Sequence, residues 1–236
     1  MFKSVNLHDL IQDNNVTQIL KVISEDPLIL DRKDESGRTL LHWACSKGLV
    51  ELVRYLVAHK QDPKLPDDSE WTPLMIATSC GHEELVQYLL GLGVDVNCRN
   101  NTGQTCLHYA ASKNHLKILQ LLLENGADPN IADCAKTVPL QRAISKDNDT
   151  VICLLLDGWK NSAKSSIDNK DMSGQTPLHY ACYENNLKAI DKLHQLGARF
   201  DIEDKEGKKP IDLAQERIQK SLIQKYMHSS DYLITR

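Results

Sequence analysis

The sequence predicts an all-α solenoid of about seven units, two caps and five internal repeats, each a short helix pair joined by a β-hairpin-like turn. Three observations predict it. First, the line TGQTCLHYA at 102–110 returns as SGQTPLHYA at 173–181, with seven of nine letters unchanged. Weaker copies begin at Thr39, Thr72, Val138 and Lys209, so the spacing runs 33, 33, 33, 38 and 33 residues. Second, the copies at Thr39, Thr72 and Thr105 are followed by apolar pairs at i, i+1, i+4 and i+5, one buried stripe at helical period. Third, a polar or glycine turn closes each stripe, as Asn125-Gly126-Ala127-Asp128 does, with Gly126 suited to a left-handed helix cap. One such unit cannot bury its own stripe. Stacked neighbours can, so residues 1–236 are expected to form one solenoid domain.

The elements follow in order. Residues 1–33 read as an N-terminal cap with one wet face: Leu7, Leu10, Ile11, Ile19, Leu20 and Ile23 keep helical spacing among His8, Asp9, Gln12, Asp13 and Gln18. The internal repeats are 34–66, 67–99, 100–132, 133–170 and 171–203. Their stripes include Leu52-Val53 with Leu56-Val57, Leu85-Val86 with Leu89-Leu90, and Ile118-Leu119 with Leu122-Leu123. In 100–132 the first helix carries Leu107 and Ala110-Ala111, and Asn114-His115 breaks it. The five extra residues fall in 158–171 and are expected to enlarge one hairpin turn. Residues 204–236 read as a C-terminal cap, with Leu222, Ile223, Tyr226 and Met227 on its apolar side and a frayed tail HSSDYLITR.

Composition narrows the class. The net charge of −4 gives no general affinity for nucleic acid or anionic membrane. No apolar run approaches the ~20 residues of a membrane span. The opening MFKSVNLHDLIQDNN lacks a long apolar stretch, so a secretory signal is not expected. Seven cysteines without a C-x-x-C read as reduced thiols of the cytoplasm or nucleus, several acting as small core residues.

His42, His108 and His179 recur at one position of the unit. A metal centre or acid–base site needs convergence on one point. A stacking rule instead puts one copy in each layer, so the three imidazoles are not expected to converge on one ion. They read as structural partners of the threonine that starts each first helix. No phosphate-binding loop, nucleophile elbow or H-E-x-x-H occurs. No catalytic residue, metal or cofactor is assigned.

A period of 33 with a T-P-L-H core resembles the ankyrin repeat. The resemblance implies a concave face lined by the turn tips, the residue after T-P-L-H and the two residues after the alanine pair. In this chain those positions supply Arg38, Trp43, Lys47, Asp68, Trp71, Tyr109, Lys113, Arg142, Tyr180 and Glu184. Arg, Trp and Tyr dominate binding hot spots. The strip therefore reads as a protein-binding groove whose basic edge asks for an acidic partner face.

The strings RTLLHWACSKG (38–48), DDSEWTPL (67–74) and LHYAASKN (107–114) resemble the gankyrin family, ankyrin-repeat chaperones of the proteasome regulatory particle. That likeness implies a non-enzymatic protein, monomeric before complex formation. Its groove would hold the C-terminal domain of a proteasomal AAA-type ATPase subunit and so assist assembly of the proteasome base. Arg38 and Lys113 would meet partner carboxylates, Asp68 would face partner cations, Trp43 and Trp71 would supply apolar contact, and Glu184 matches a charged position of the family's groove. Arg38 and Lys113 are expected to project away from the stack. The other reading is a signalling adaptor that holds a kinase or a transcription factor. Glu70 replaces the turn glycine and Gln141 replaces the histidine, and both are expected to loosen the stack locally.

Overall fold

The computed structural model describes residues 11–12, 14–160 and 167–226. The expected cap residues Leu7, His8, Asp9, Leu10, Asp13 and Met227, and the tail 228–236, lie outside them. The chain divides into two compact units, Met1–Asp128 and Pro129–Arg236.

In the first unit, α1 (Val16–Glu25) precedes a 3-10 turn, Pro27–Asp31. Three helix pairs follow: α2 (Leu40–Lys47) with α3 (Val50–Ala58), α4 (Pro73–Cys80) with α5 (Glu83–Gly91), and α6 (Cys106–Ser112) with α7 (Leu116–Glu124). The first helices pack in a row, α2 on α4 on α6, and α5 packs on α7. Between the rows lie Leu52, Val53, Leu56, Leu85, Val86, Leu89, Ile118, Leu119 and Leu122, each at most 1% exposed. Val57 and Leu123 close the stripes half-buried. Ile11, Ile19 and Ile23 are buried in the N-terminal cap.

In the second unit, α8 (Pro139–Ile144) and α9 (Asp149–Lys160) form one pair, and α10 (Pro177–Tyr183) and α11 (Leu187–Gln195) the next. A 3-10 turn, Pro210–Leu213, packs on α10, and α12 (Glu216–Tyr226) closes the chain with Leu222 buried. Of the segment 158–171, residues 161–166 lie outside the described residues, and the described part does not enlarge a turn tip. Helix α9 runs 12 residues against the nine of α7, and the turn Asp171–Gln175 has the size of its counterparts. Part of the insertion thus extends a helix, which satisfies its own backbone groups internally.

The turns, or fingers, contain no strand among the described residues. Each is closed by one main-chain bond across its base, such as Asp67 N–H to Trp71 O at 2.9 Å and Asn100 N–H to Gln104 O at 3.1 Å. Neighbouring fingers share one further bond: Asp68 N–H to Ser36 O, Asn101 N–H to Ser69 O, Met172 N–H to Ala135 O and Lys205 N–H to Ser173 O. A single bond per neighbour is too few for a ladder, so the fingers stay hairpin turns.

Four finger tips place glycine at positive φ: Gly37, Gly103, Gly174 and Gly207. Glu70 and Lys136 occupy the same slot at φ 62° and 60°. Glu70 keeps its finger closed, since its N–H still reaches Asp67 O at 2.9 Å. The cost is backbone strain, not a loosened stack. Glu70→Gly is expected to raise stability by roughly 0.5–1 kcal/mol, the relief of left-handed strain less the greater freedom glycine gives the unfolded chain. Urea unfolding of the pair measures it, and a lower midpoint for the glycine variant would refute the strain.

Candidate protein-binding face

The strip begins with the residue that opens each repeat. Asp34, Asp67, Asn100, Asp133, Asp171 and Asp204 stand six positions before the first residue of the helix or 3-10 turn that follows each finger. In every one, a side-chain oxygen accepts two main-chain N–H groups of its own finger. Asp67 Oδ1 takes those of Ser69 and Trp71, both at 2.9 Å, and Asn100 Oδ1 takes those of Thr102 at 3.1 Å and Gln104 at 2.9 Å. A short carboxylate or amide can fold back on its own backbone in this way, which fixes a tight turn. These six residues were not singled out from sequence, although their period of 33, broken only by the 38, was there to be read.

The remaining polar atom of the same residue holds the groove side chain nine positions on. Trp43 Nε1–H donates to Asp34 Oδ2 at 2.8 Å. Asn100 Nδ2 donates to the Tyr109 hydroxyl at 2.7 Å, and that hydroxyl donates to Gln104 Oε1 at 2.6 Å. In the second unit Arg142 reaches Asp133 at 2.7 Å and the Tyr180 hydroxyl reaches Asp171 at 2.7 Å. The third repeat has Ile76 at that position, and Asp67 is met instead by Arg38 Nε from the preceding finger at 2.9 Å. Asp67 is 1% exposed at its side chain and Arg38 31%. Arg38 is therefore turned into the fold, contrary to the expectation that it projects freely.

Electrostatics follow these contacts. Burial would raise the Asp34 and Asp133 carboxyls, but hydrogen bonds from Arg38 and Ser36 N–H and Trp43 to the one, and from Thr137 and Arg142 to the other, outweigh it and hold both below the usual carboxylate range. Burial first, and then the Asp171 carboxylate, push the Tyr180 hydroxyl up.

Within the first unit the structure brings several expected residues together. The Arg38 guanidinium lies 5.4 Å from the centre of the Trp43 ring, and Trp71 packs on Tyr109 with ring centres 4.5 Å apart. Trp43, Trp71 and Tyr109 are half-buried and pre-set in orientation. The exposed charges beside them are Asp68 and Lys113, with Lys47 half-buried. Lys47 Nζ donates to Gln12 Oε1 at 3.3 Å and Lys113 Nζ to Ser79 O at 3.0 Å. Glu184 is exposed at the end of α10 in the second unit, next to Tyr183, 66% exposed.

The recurrent histidines are caps. His42 Nδ1 accepts the Thr39 N–H at 3.1 Å and sits 2.9 Å from its hydroxyl, and the same pair recurs at Thr105–His108 and Thr176–His179. In the fifth repeat Gln141 Oε1 accepts the Val138 N–H at 2.9 Å and its amide reaches Gln175 O at 3.3 Å. Gln141 thus reproduces the histidine's bond and does not loosen the stack. Among the described residues no group of three or more His, Cys, Asp or Glu is placed to hold a metal.

Burial, the largest influence, lowers the His42 and His179 pKa values. Below the ordinary value of about 6.5 the unfolded chain binds protons that the folded caps refuse. Their contribution is complete above about pH 6.5 and is lost as pH falls through the depressed folded values. The urea midpoint is expected to fall between about pH 7.5 and about pH 5.5, and less so in His42→Gln/His179→Gln. An equal fall in both proteins would refute the assignment.

Helix pairs in register, hairpin fingers at a spacing of 33 residues broken once by 38, and a buried Thr–His cap at three of the first helices define a repeat solenoid. The chain belongs to the ankyrin-repeat family: "Ankyrin repeats (3 copies)" matches residues 7–100, 61–133, 92–165 and 140–229. It is 36% identical over 73 residues to the 26S proteasome non-ATPase regulatory subunit 10 of Dictyostelium discoideum, covering 30% of this chain and 32% of that protein. To the probable 26S proteasome regulatory subunit p28 of Saccharomyces cerevisiae it is 35% identical over 70 residues, 28% of this chain and 31% of that one. Acyl-CoA-binding domain-containing protein 6 of Homo sapiens matches at 44% over 55 residues, 23% of this chain. The matched stretch thus spans about a fifth of the acyl-CoA-binding relative and about a third of the proteasomal ones. The crystal structure of the ankyrin repeat domain of Bcl-3 shares the fold, with a TM-score of 0.76 over 95% of this chain and all of that one, at 24% identity.

Proposed function

We propose that this chain is a non-enzymatic binding protein that holds the C-terminal domain of a proteasomal AAA-type ATPase subunit and assists assembly of the proteasome base, in cytoplasm and nucleus. The observation that carries the reading is the similarity to two proteasomal regulatory subunits at 35–36% identity. The pre-set strip of Trp43, Trp71 and Tyr109, edged by Asp68, Lys47 and Lys113, supports it. Rigid aromatics lose little entropy on binding, and charges at their rim select the partner.

Arg38 is a poor place to test this, since its loss would strand buried Asp67. Lys47 and Lys113 leave the finger network untouched. Calorimetry of the parent against the C-terminal domain of each proteasomal ATPase is expected to find one that binds. Lys47→Glu/Lys113→Glu, checked for folding by circular dichroism, is expected to bind that domain about a hundredfold more weakly or worse. A folded parent that binds none of these domains would sink the reading, and a double variant that binds as tightly as the parent would remove the lysines from the face.

A further inference from the structure

Asn125-Gly126 is the single Asn-Gly step in the sequence, and it stands at the end of α7. Gly126 takes φ 84° and closes the helix, its N–H on Leu123 O at 3.1 Å and the Ala127 N–H on Leu122 O at 3.0 Å. The corresponding caps place His59, Leu92 and Leu196 before their positive-φ residue, so of these four turns only this one offers a side-chain amide. Asn125 Nδ2 donates to Leu121 O at 2.8 Å. From the preceding repeat, Asn97 grips the same turn twice: its Nδ2 donates to Gly126 O at 3.2 Å, and its Oδ1 accepts the Asp128 N–H at 2.8 Å. We infer that Asn125 is a site of spontaneous deamidation that the α7 cap and Asn97 keep closed, so that opening of this turn is recorded as a permanent chemical change.

Ring closure needs the Gly126 nitrogen at the side-chain carbon of Asn125. At ψ 16° the Asn125 Cβ is turned away from that nitrogen about the Cα–C bond, and the nitrogen's proton is committed to Leu123 O. When the turn opens, both restraints go. Glycine has no Cβ to shield its nitrogen and accepts the new backbone angles. Asn125 and Gly126 are exposed, so water and base reach them. Base takes the Gly126 N–H proton, and the nitrogen attacks Cγ. The N–Cγ bond forms, the Cγ–Nδ2 bond breaks, and ammonia leaves carrying back the proton that the base took. Water then adds to either carbonyl of the cyclic imide and opens it to aspartate or isoaspartate. One water enters, one ammonia leaves, and nothing is oxidised or reduced. Neither product rebuilds the cap. A carboxylate cannot donate to Leu121 O, and it faces the negative end of α7. Isoaspartate lengthens the main chain by one carbon inside the span that the Ala127–Leu122 bond closes.

The test keeps the full chain in mildly alkaline buffer and follows Asn125 by peptide mass and by isoaspartyl methyltransferase labelling. Urea-unfolded parent, folded parent and folded Asn97→Ala are compared, with circular dichroism as the folding control. Reaction is expected to be fastest in urea and slowest in the folded parent. Asn97→Ala is expected to react about tenfold faster than the folded parent, since two bonds on the turn are gone and local opening is easier. An Asn125 that stays intact even in urea would overturn the site. Equal rates in folded and unfolded parent, or in folded parent and folded Asn97→Ala, would overturn the gating. Should Asn97→Ala fail to fold, hydrogen exchange decides. As urea is raised below the unfolding transition, deamidation of the parent should quicken in step with exchange of the Gly126 and Ala127 N–H groups, and a rate that ignores their opening would refute the proposal.

Discussion

Leu122→Ala is expected to lower the unfolding free energy by about 2–5 kcal/mol. Leu122 is fully buried in α7, on the stripe that also carries Ile118 and Leu119. That helix packs on α5, whose Leu85, Val86 and Leu89 are equally buried. Truncation removes the transfer free energy of three heavy atoms and leaves a void that close-packed neighbours fill only in part. In a solenoid the loss falls on an interface between layers, so both adjoining repeats feel it. Equilibrium urea unfolding followed by circular dichroism measures the change. A midpoint equal to the parent's would mean that the stripe has been placed in the wrong register.

Asp67→Ala is expected to cost about 3 kcal/mol, nearly as much as a core leucine, although no apolar surface is lost. Its carboxylate closes the third finger through Ser69 and Trp71 N–H and neutralises Arg38 from the second. Removing it leaves those donors without their acceptor, at about 1–3 kcal/mol for each group that water cannot reach. Arg38, partly exposed, recovers some hydration and tempers the loss. Asp67→Asn separates the two duties. The amide oxygen can still accept both N–H groups, as Asn100 does in the next repeat, while the charge opposite Arg38 is gone. It is expected to cost about 1 kcal/mol. If the alanine and asparagine variants melt alike, finger closure contributes little and the ion pair accounts for the effect.

These two positions mark the boundary of what could be read from the chain. Leu122 was legible because burial follows a period: apolar pairs at i, i+1, i+4 and i+5 can face only one side of a helix. The histidines were legible for the same kind of reason, since one residue type in the same slot of three separate layers cannot converge on a reaction centre. Asp67 was equally periodic, yet an acidic residue in a polar turn reads as solvated surface until its partners are seen. Arg38 was misread through the same gap. Its partner lies 29 positions away in the next finger, and a contact across layers leaves no mark on local spacing. Gln141 shows the converse, because a change of residue type need not change the hydrogen bond when an amide oxygen occupies the place of an imidazole nitrogen.

The candidate face divides along the same line. Which positions carry Trp43, Trp71, Tyr109 and Lys113 follows from the 33-residue register, because side-chain direction in a repeated helix pair is set by position alone. What those side chains are free to do is decided by the fold. Folding each finger onto its own first helix brings Asp34, Asn100, Asp133 and Asp171 to Trp43, Tyr109, Arg142 and Tyr180, whose polar ends they hold, and stacking brings Asp67 to Arg38. By itself the sequence determined the period, the helix pairs and the buried stripe, since each depends on neighbours within one unit. Only the tertiary structure decided which charges remain for a partner, because an ion pair forms between groups that packing, not chain order, makes adjacent.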